Sequence, residues 1–257
     1  MLSALDLTGR VAVVAGGTSG LGRAIAIGLA EAGADVIPSG RRLAPAQEAC
    51  GQVARLGRRT LSVTVDVLLR DSVDLWRDRV LETFGKVDIL VNAAGFVARK
   101  PTTEVTEEEW QAAFDVNATG ALRTCQAFYP ALSASGRGRV INIVSLNSFV
   151  SLREVAAYAA AKSALLSLTR SLAVEWATSG VNVNAIAPGV FRTDLNRKLL
   201  DETERGQELL MRTPMRRFGC PHELAGAAVL LASDAASYMT GQCLIVDGGL
   251  LASGVNS

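Results

Sequence analysis

The sequence predicts a single-domain α/β protein, folded as a three-layer sandwich around a seven-stranded parallel sheet. Short runs rich in valine and isoleucine alternate along the chain with longer segments of helical periodicity. Most of the short runs are apolar at every position, which is typical of strands that helices cover on both faces. The 257 residues are 49% hydrophobic, enough for one large core. No linker, internal repeat or low-complexity tract interrupts the chain, so we expect one domain over residues 1–257.

Seven runs are predicted strands: Val11–Ala15, Val36–Ser39, Leu61–Val65, Val87–Val91, Val140–Val144, Val181–Ile186 and Cys243–Val246. Pro38 fits poorly inside the second run, because proline has no N–H to donate to a strand ladder. The first predicted helix, Leu21–Ala32, ends before Gly33. The segment Val155–Thr178 is apolar nearly all the way round, so either the protein's own loops or a second copy must cover it. We favour the second copy, in a homodimer or homotetramer.

Charge and scarce residue types exclude several classes of function. Lys+Arg number 26 against 25 Asp+Glu, so the net charge of +1 provides no basic surface for nucleic acid. A single histidine, His222, and four widely spaced cysteines are a poor ligand set, and no metal is expected. The amino terminus has no basic-then-apolar pattern, and no apolar stretch reaches membrane length. We therefore expect a cytoplasmic protein that binds neither membranes nor nucleic acid.

A glycine-rich turn follows the first strand and opens the first helix. Glycines let the backbone approach a pyrophosphate, and free N–H groups at the start of a helix bind it. The spacing is G-x-x-x-G-x-G, and no Gly-Lys-Ser/Thr follows, so a nucleoside-triphosphate loop is not indicated. A structural turn without a ligand is the alternative. The predicted dinucleotide contacts in this turn are Gly16, Thr18, Ser19, Gly20, Leu21 and Gly22.

The end of the second strand indicates which dinucleotide binds. An acidic residue here would recognise a ribose 2'-hydroxyl, whereas arginine recognises a 2'-phosphate. The chain has Ser39-Gly40-Arg41-Arg42, and Asp35 lies at the wrong end of the strand. We therefore predict NADP(H) in preference to NAD(H), with Arg41 and Arg42 at the phosphate. The alternative is that both arginines are ordinary solvated charges.

Tyr158 and Lys162 form a candidate catalytic pair. Four residues apart on a helix, they share a face, so the ammonium can lie beside the phenol. A phenol of pKa near 10 needs about 4 kcal/mol of phenolate stabilisation to act as a base at pH 7. One positive charge at about 4 Å supplies roughly that amount, and an oxidised nicotinamide ring adds a second positive charge. Ser145 and Asn117 are further candidates, although each could equally be a turn or helix-cap residue or satisfy backbone groups.

Taken together, these residues resemble the short-chain dehydrogenase/reductase family over almost the whole chain. The resemblance implies a Rossmann-type fold, with Tyr158 as general acid/base, Lys162 lowering its pKa and holding the nicotinamide ribose, Ser145 anchoring the substrate oxygen, and Asn117 supporting a water relay. Ala15 departs from the threonine that the family commonly has before the first glycine. Further coenzyme contacts implied by the resemblance are Asp66, Val67, Asn92, Ala93, Ala94, Gly95, Pro188, Gly189, Val190 and Thr193.

The implied reaction is reversible hydride transfer between the coenzyme and a secondary alcohol or ketone. The resemblance places a substrate lid at about residues 191–218, where seven basic side chains are interleaved with acids. An arginine of this segment, or Arg153, could bind an anionic substrate, and Asn147 could bind hydroxyl groups. The segment Arg212–Gly219 resembles that of sugar-acid dehydrogenases, so we favour a sugar, polyol or sugar acid. A 3-oxoacyl carrier-protein reductase is the alternative, and a coenzyme-sensing regulator without catalysis is a more remote one.

Overall fold

A computed structural model describes residues 3–193 and 196–254. Asp194 and Leu195, within the predicted lid, and both chain termini lie outside the described residues. The strands are β1 to β6 in chain order: Val11–Ala15, Asp35–Ser39, Ile89–Asn92, Gly138–Ile143, Val181–Pro188 and Cys243–Val246. The α-helices are α1 to α9: Gly20–Glu31, Leu43–Arg55, Arg70–Phe84, Glu107–Phe114, Gly120–Ala134, Ala156–Trp176, Arg197–Glu202, Glu204–Arg212 and Ala225–Ala232.

The strands form one parallel sheet in the order β2-β1-β3-β4-β5-β6. Helices α1 and α9 pack on one face, around Ile25, Leu29 and Leu231. Helices α3, α5 and α6 pack on the other face, around Trp76 and Phe128. The chain runs from β1 outward to β2 and then returns to the opposite side of β1 for β3. This reversal opens a crevice at the carboxyl ends of β1 and β3, where ligands of such sheets bind.

The prediction of seven strands is wrong, because the described sheet has six. The segment Leu61–Val65 runs beside β2 but pairs with it only at its ends. The Val36 N–H donates to the Arg59 carbonyl at 3.1 Å, and the Val65 N–H donates to the Gly40 carbonyl at 3.0 Å. Between these bonds Pro38 has no N–H to donate, and the Leu61 carbonyl accepts the Cys50 thiol instead. The remainder of the fold prediction, a single parallel α/β unit, is confirmed.

Candidate active site

The glycine turn forms a crowded cradle at the carboxyl end of β1. Gly16 has φ +78°, and a Cβ there would lie 2.5 Å from the backbone nitrogen of Ala94. A Cβ on Gly22 would lie 2.2 Å from the Gly16 carbonyl oxygen. Ser19 caps α1 without a side-chain hydrogen bond, so the first N–H groups of the helix are left for another acceptor. These features fit a bound pyrophosphate, because only backbone of this kind approaches a phosphate closely enough.

One other predicted contact segment borders this cradle. Thr193 lies beside the turn, with its methyl group 3.9 Å from the position of a Cβ on Gly20. Gly189 follows the end of β5 and donates its N–H to the Val246 carbonyl at 2.8 Å. The structure therefore brings Thr193, at the end of the predicted segment Pro188–Thr193, to the glycine turn. Asp66 instead accepts the Leu68 N–H at 3.1 Å, so its carboxylate closes its own loop.

The end of β2 has the features expected of a 2'-phosphate site. The carbonyl of Ser39 accepts N–H groups from the glycine turn, but its hydroxyl is buried with no hydrogen-bond partner in the described ranges. Arg41 and Arg42 are exposed and make no ion pair with the described residues. A Cβ on Gly40 would lie 2.8 Å from the Thr18 hydroxyl, so no larger residue could stand between this edge and the turn.

Tyr158 and Lys162 lie one turn apart on α6, as predicted. The Lys162 Nζ is 5.8 Å from the centre of the Tyr158 ring. Lys162 is 3% exposed, and its ammonium donates to the Ile143 carbonyl at the end of β4 over 2.7 Å. Burial lowers the pKa of Lys162 to about 8. Helix α6 is therefore attached to the sheet through its own lysine.

The expected lowering of the pKa of Tyr158 is not found in the protein alone. Burial raises this pKa, and a hydrogen bond with the Ser145 side chain opposes the rise only in part. The physical reason is that Lys162 is itself desolvated and directs its ammonium to a backbone carbonyl. A further positive charge beside the phenol would lower this pKa.

Ser145 and Asn147 lie together at the carboxyl end of β4. The Ser145 hydroxyl accepts the Asn147 N–H at 3.2 Å, which caps a short turn, and it also bonds to Tyr158. The side-chain oxygen of Asn147 is buried without a partner in the described part of the chain. A buried acceptor of this kind is available to a hydroxyl group of a ligand.

Asn117 lies in a π-helical turn, Asp115–Thr119, between α4 and α5. Its amide donates to the Phe96 carbonyl at 2.8 Å, and its oxygen accepts the Phe96 N–H at 3.2 Å. The side chain thus satisfies backbone groups, which was the alternative interpretation. It also holds Gly95 in place, where a Cβ would lie 3.3 Å from Asn117 Oδ1 and 3.7 Å from Lys162 Nζ.

A buried chain of hydrogen bonds, which sequence reasoning missed, joins both sides of the site through the sheet. Thr124 of α5 donates to Asn92 at 2.6 Å, and Asn92 donates to Asn142 at 2.9 Å. Asn142 donates to Thr169 of α6 at 2.9 Å. Asn92 therefore supports the floor of the crevice without its side chain facing a ligand. Asparagine in apolar strands was the available signal, since a buried amide requires partners.

The geometry of the crevice and of α6 is found in known proteins. A family model described as enoyl-(acyl carrier protein) reductase matches residues 15–251. This chain is 41% identical over 253 residues to 2-dehydro-3-deoxy-D-gluconate 5-dehydrogenase of Escherichia coli, covering 98% of this chain and 99% of the relative. The chain belongs to the short-chain dehydrogenase/reductase family. The predicted family and enzyme class are thereby confirmed.

Solved short-chain dehydrogenase/reductase structures superpose over nearly the whole chain. One is a gluconate 5-dehydrogenase from Burkholderia cenocepacia in complex with NADP and tartrate, with TM-score 0.93, 37% identity and 98% of each chain covered. Another is a 3-oxoacyl (acyl-carrier-protein) reductase from Agrobacterium tumefaciens with NADP bound, with TM-score 0.88, 33% identity and 96% of each chain covered. This chain is similar to both.

The burial of Lys162 leads to a prediction about stability. In the unfolded chain the lysine keeps a pKa near 10.5, whereas the folded protein has lost the proton above about pH 8. Below pH 8 the folded state carries the full cost of a buried ammonium, and between pH 8 and 10.5 that cost declines. We expect Lys162→Met to raise the free energy of unfolding without coenzyme by about 1–2 kcal/mol at pH 7, and by less at pH 9.5.

Urea unfolding at the two pH values measures this difference, with Lys198→Met as a control at an exposed lysine. A Lys162→Met protein that is less stable than wild type by the same amount at both pH values would contradict the prediction.

Proposed function

We propose that this enzyme catalyses the reversible, NADP(H)-dependent oxidation of a secondary hydroxyl group of a sugar acid. The observation that carries the reaction type is the position of Tyr158, Lys162 and Ser145 at the carboxyl end of β4. This end of the sheet also carries the glycine cradle. A proton-exchanging group and a coenzyme site at one edge of the sheet support hydride transfer between carbon centres.

The coenzyme would be held by the glycine turn and by α1, with Arg41 and Arg42 on its 2'-phosphate. Two structures similar to this chain contain NADP, which supports that preference over NAD(H). When bound, NADP(H) supplies or accepts the hydride. The other predicted contacts remain part of this proposal: Asp66, Val67, Asn92 to Gly95, and Pro188 to Thr193.

The chain's own residues would handle the proton and the substrate oxygen. The hydroxyl groups of Ser145 and Tyr158 are hydrogen-bonded, so a substrate oxygen that displaced this bond would contact both. Tyr158 would exchange the proton of that oxygen. Lys162, buried beneath it, would hold the nicotinamide ribose and stabilise the phenolate.

Two observations favour a sugar acid as the substrate. Relatives of this chain are named for sugar acids. Arg205 of α8 donates to the Arg153 carbonyl at 2.9 Å, which brings a guanidinium close to the start of α6, the helix that carries Tyr158. Asn147 is available for a hydroxyl group of such a substrate. Arg153 itself is exposed and provides its carbonyl here.

An acyl thioester is the second candidate substrate. A cleft of about 580 Å³ lies between the loop that joins Ser145 to Tyr158, helix α8 and the carboxyl-terminal segment. Val150, Leu152, Leu209 and Leu250 line it, which suits an acyl chain. The similarity to a 3-oxoacyl (acyl-carrier-protein) reductase supports this alternative.

We expect Tyr158→Phe to retain coenzyme affinity and to reduce turnover by about a thousandfold, because only the proton-exchanging oxygen is lost. Coenzyme fluorescence titration and the rate of NADPH oxidation with 5-keto-D-gluconate measure the two effects. Tyr238→Phe is the matched control, since Tyr238 is fully exposed. Turnover above a tenth of the wild-type rate would remove Tyr158 from this role.

We expect the double variant Arg41→Ala and Arg42→Ala to weaken NADP⁺ binding by about tenfold or more and to leave NAD⁺ binding nearly unchanged. Calorimetry with both coenzymes measures this. Arg55→Ala, an exposed arginine elsewhere on α2, is the control. An equal loss of affinity for NADP⁺ and NAD⁺ would show that these arginines do not select the phosphate.

The enzyme is proposed to be a cytoplasmic homodimer or homotetramer. No helix in the described ranges is long and apolar enough to cross a membrane. One face of α6 lacks a cover in the single chain, with Val174 82% exposed beside Ser167 and Ser171. Edge strand β6 also has a half-exposed Ile245. Light scattering should give two or four copies at micromolar concentration, and a monomer would contradict the proposal.

A further inference from the structure

Near the start of α6, Arg205 pairs with the carboxylate of Glu154, and Arg99 adds a second positive charge to the same region. Arg99 follows β3, Arg153 precedes α6, and Arg205 lies on α8, within the predicted lid. The Arg205 Nη1 is 3.4 Å from Glu154 Oε2. The guanidinium of Arg99 makes no hydrogen bond or ion pair with the described residues, although it lies in the field of both Arg205 and Glu154. The local charge therefore exceeds what Glu154 can neutralise.

Like charges repel each other, and this repulsion contributes to the lowered pKa of Arg99. Its pKa is lowered, first by burial and then by the charge of Arg205, while Glu154 opposes the change. A second carboxylate between Arg99 and Arg205 would relieve this repulsion and form hydrogen bonds with a planar guanidinium. A neutral hydroxymethyl group would do neither. The cluster thus distinguishes acids from polyols.

Glu154 is held in place under backbone strain. Its φ is +67°, a left-handed conformation that is unusual for a residue other than glycine. The Lys100 N–H donates to its carbonyl at 2.9 Å, and Arg205 binds its carboxylate from the other side. Strain of this kind occurs where the surrounding structure imposes it, often at ligand sites.

Glu154 is a neighbour of Tyr158. It precedes Tyr158 by four residues, and both line a small cavity of about 20 Å³, as do Lys100 and Glu109, which pair with each other. A six-carbon acid bound with one carbon at Tyr158 extends several ångströms from it, so its carboxylate would bind among the neighbours of Tyr158.

We propose that Glu154 occupies, in the free enzyme, the position on Arg205 that the carboxylate of an acidic substrate takes, and that the substrate binds by displacing it. This inference rests on the proposed function. Arg205 exchanges one carboxylate for another, so α8 remains attached over the site while the substrate lies beneath it. Selectivity for acids follows, because a neutral polyol has no group with which to displace Glu154.

A matched pair of substrates tests the proposal. L-sorbose has the same carbon chain as 5-keto-D-gluconate, with a hydroxymethyl group in place of the carboxylate. We expect the ratio of kcat/KM for 5-keto-D-gluconate to that for L-sorbose to fall about tenfold in Arg205→Gln. In Glu154→Gln, which removes the competing carboxylate, the ratio should rise about threefold.

Glu104→Gln is the control, because it makes the same change in charge at an exposed residue that forms no ion pair with the rest of the described chain. Its ratio should stay within about twofold of the wild type. If Arg205→Gln does not bind NADPH, the test uses Arg205→Lys instead. Lysine cannot form the paired hydrogen bonds of a planar guanidinium, so the ratio of the two kcat/KM values should still fall. Equal ratios in all variants, or a rise in Glu104→Gln equal to that in Glu154→Gln, would overturn the inference.

A binding measurement separates this inference from the proposed function. Calorimetry of D-gluconate with the NADP⁺-saturated enzyme does not require turnover. Tighter binding of D-gluconate to Glu154→Gln and weaker binding to Arg205→Gln would support the displacement. A lack of turnover of sugar acids beside this binding pattern would count against the proposed function alone. Identical binding to the wild type and both variants, or no binding to any of them, would contradict the displacement.

Discussion

The attachment of α6 to the end of β4 determines where the chemistry can occur. Lys162 donates its buried ammonium to the Ile143 carbonyl, and Asn142, the residue before it, binds Thr169 two turns further along the helix. Two polar contacts inside an apolar interface fix the rotation and the height of α6, because a slip would leave buried polar groups unpaired. Tyr158 is thereby held beside Ser145. This arrangement requires that the Lys162 ammonium be buried away from water, which destabilises its charged form and lowers its pKa to about 8.

The same attachment connects the catalytic helix with the coenzyme crevice. Asn142 also accepts the amide of Asn92, and the residues after Asn92 pack against Gly16 of the glycine turn. The floor of the crevice and α6 thus share one set of buried partners. Burial raises the pKa of Tyr158 in the protein alone, so a further positive charge beside the phenol would favour its ionisation. In such an arrangement, ionisation of the phenol depends on the coenzyme.

Local patterns in the sequence were sufficient to predict those features that are determined by residues close together along the chain. The strand-turn-helix around Gly16 and the Tyr158–Lys162 spacing each lie within one element and its turn, and both were predicted. The segment Leu61–Val65 was wrongly predicted as a strand, because strand pairing depends on the neighbouring strand. Pro38 of that neighbour, β2, has no N–H to donate to a hydrogen bond. The cluster of Arg99, Glu154 and Arg205 was not predictable, because about fifty residues separate each from the next and only the tertiary fold joins them.

The ionisation of Tyr158 tests the central claim most directly. An ultraviolet difference titration of the wild type against Tyr158→Phe isolates this phenol from Tyr129 and Tyr238, with and without saturating NADP⁺. The account predicts that its pKa lies above its ordinary value of 10 in the protein alone and falls by at least about two units in the complex. The same pKa in both states, or one already below 10 without coenzyme, would contradict it.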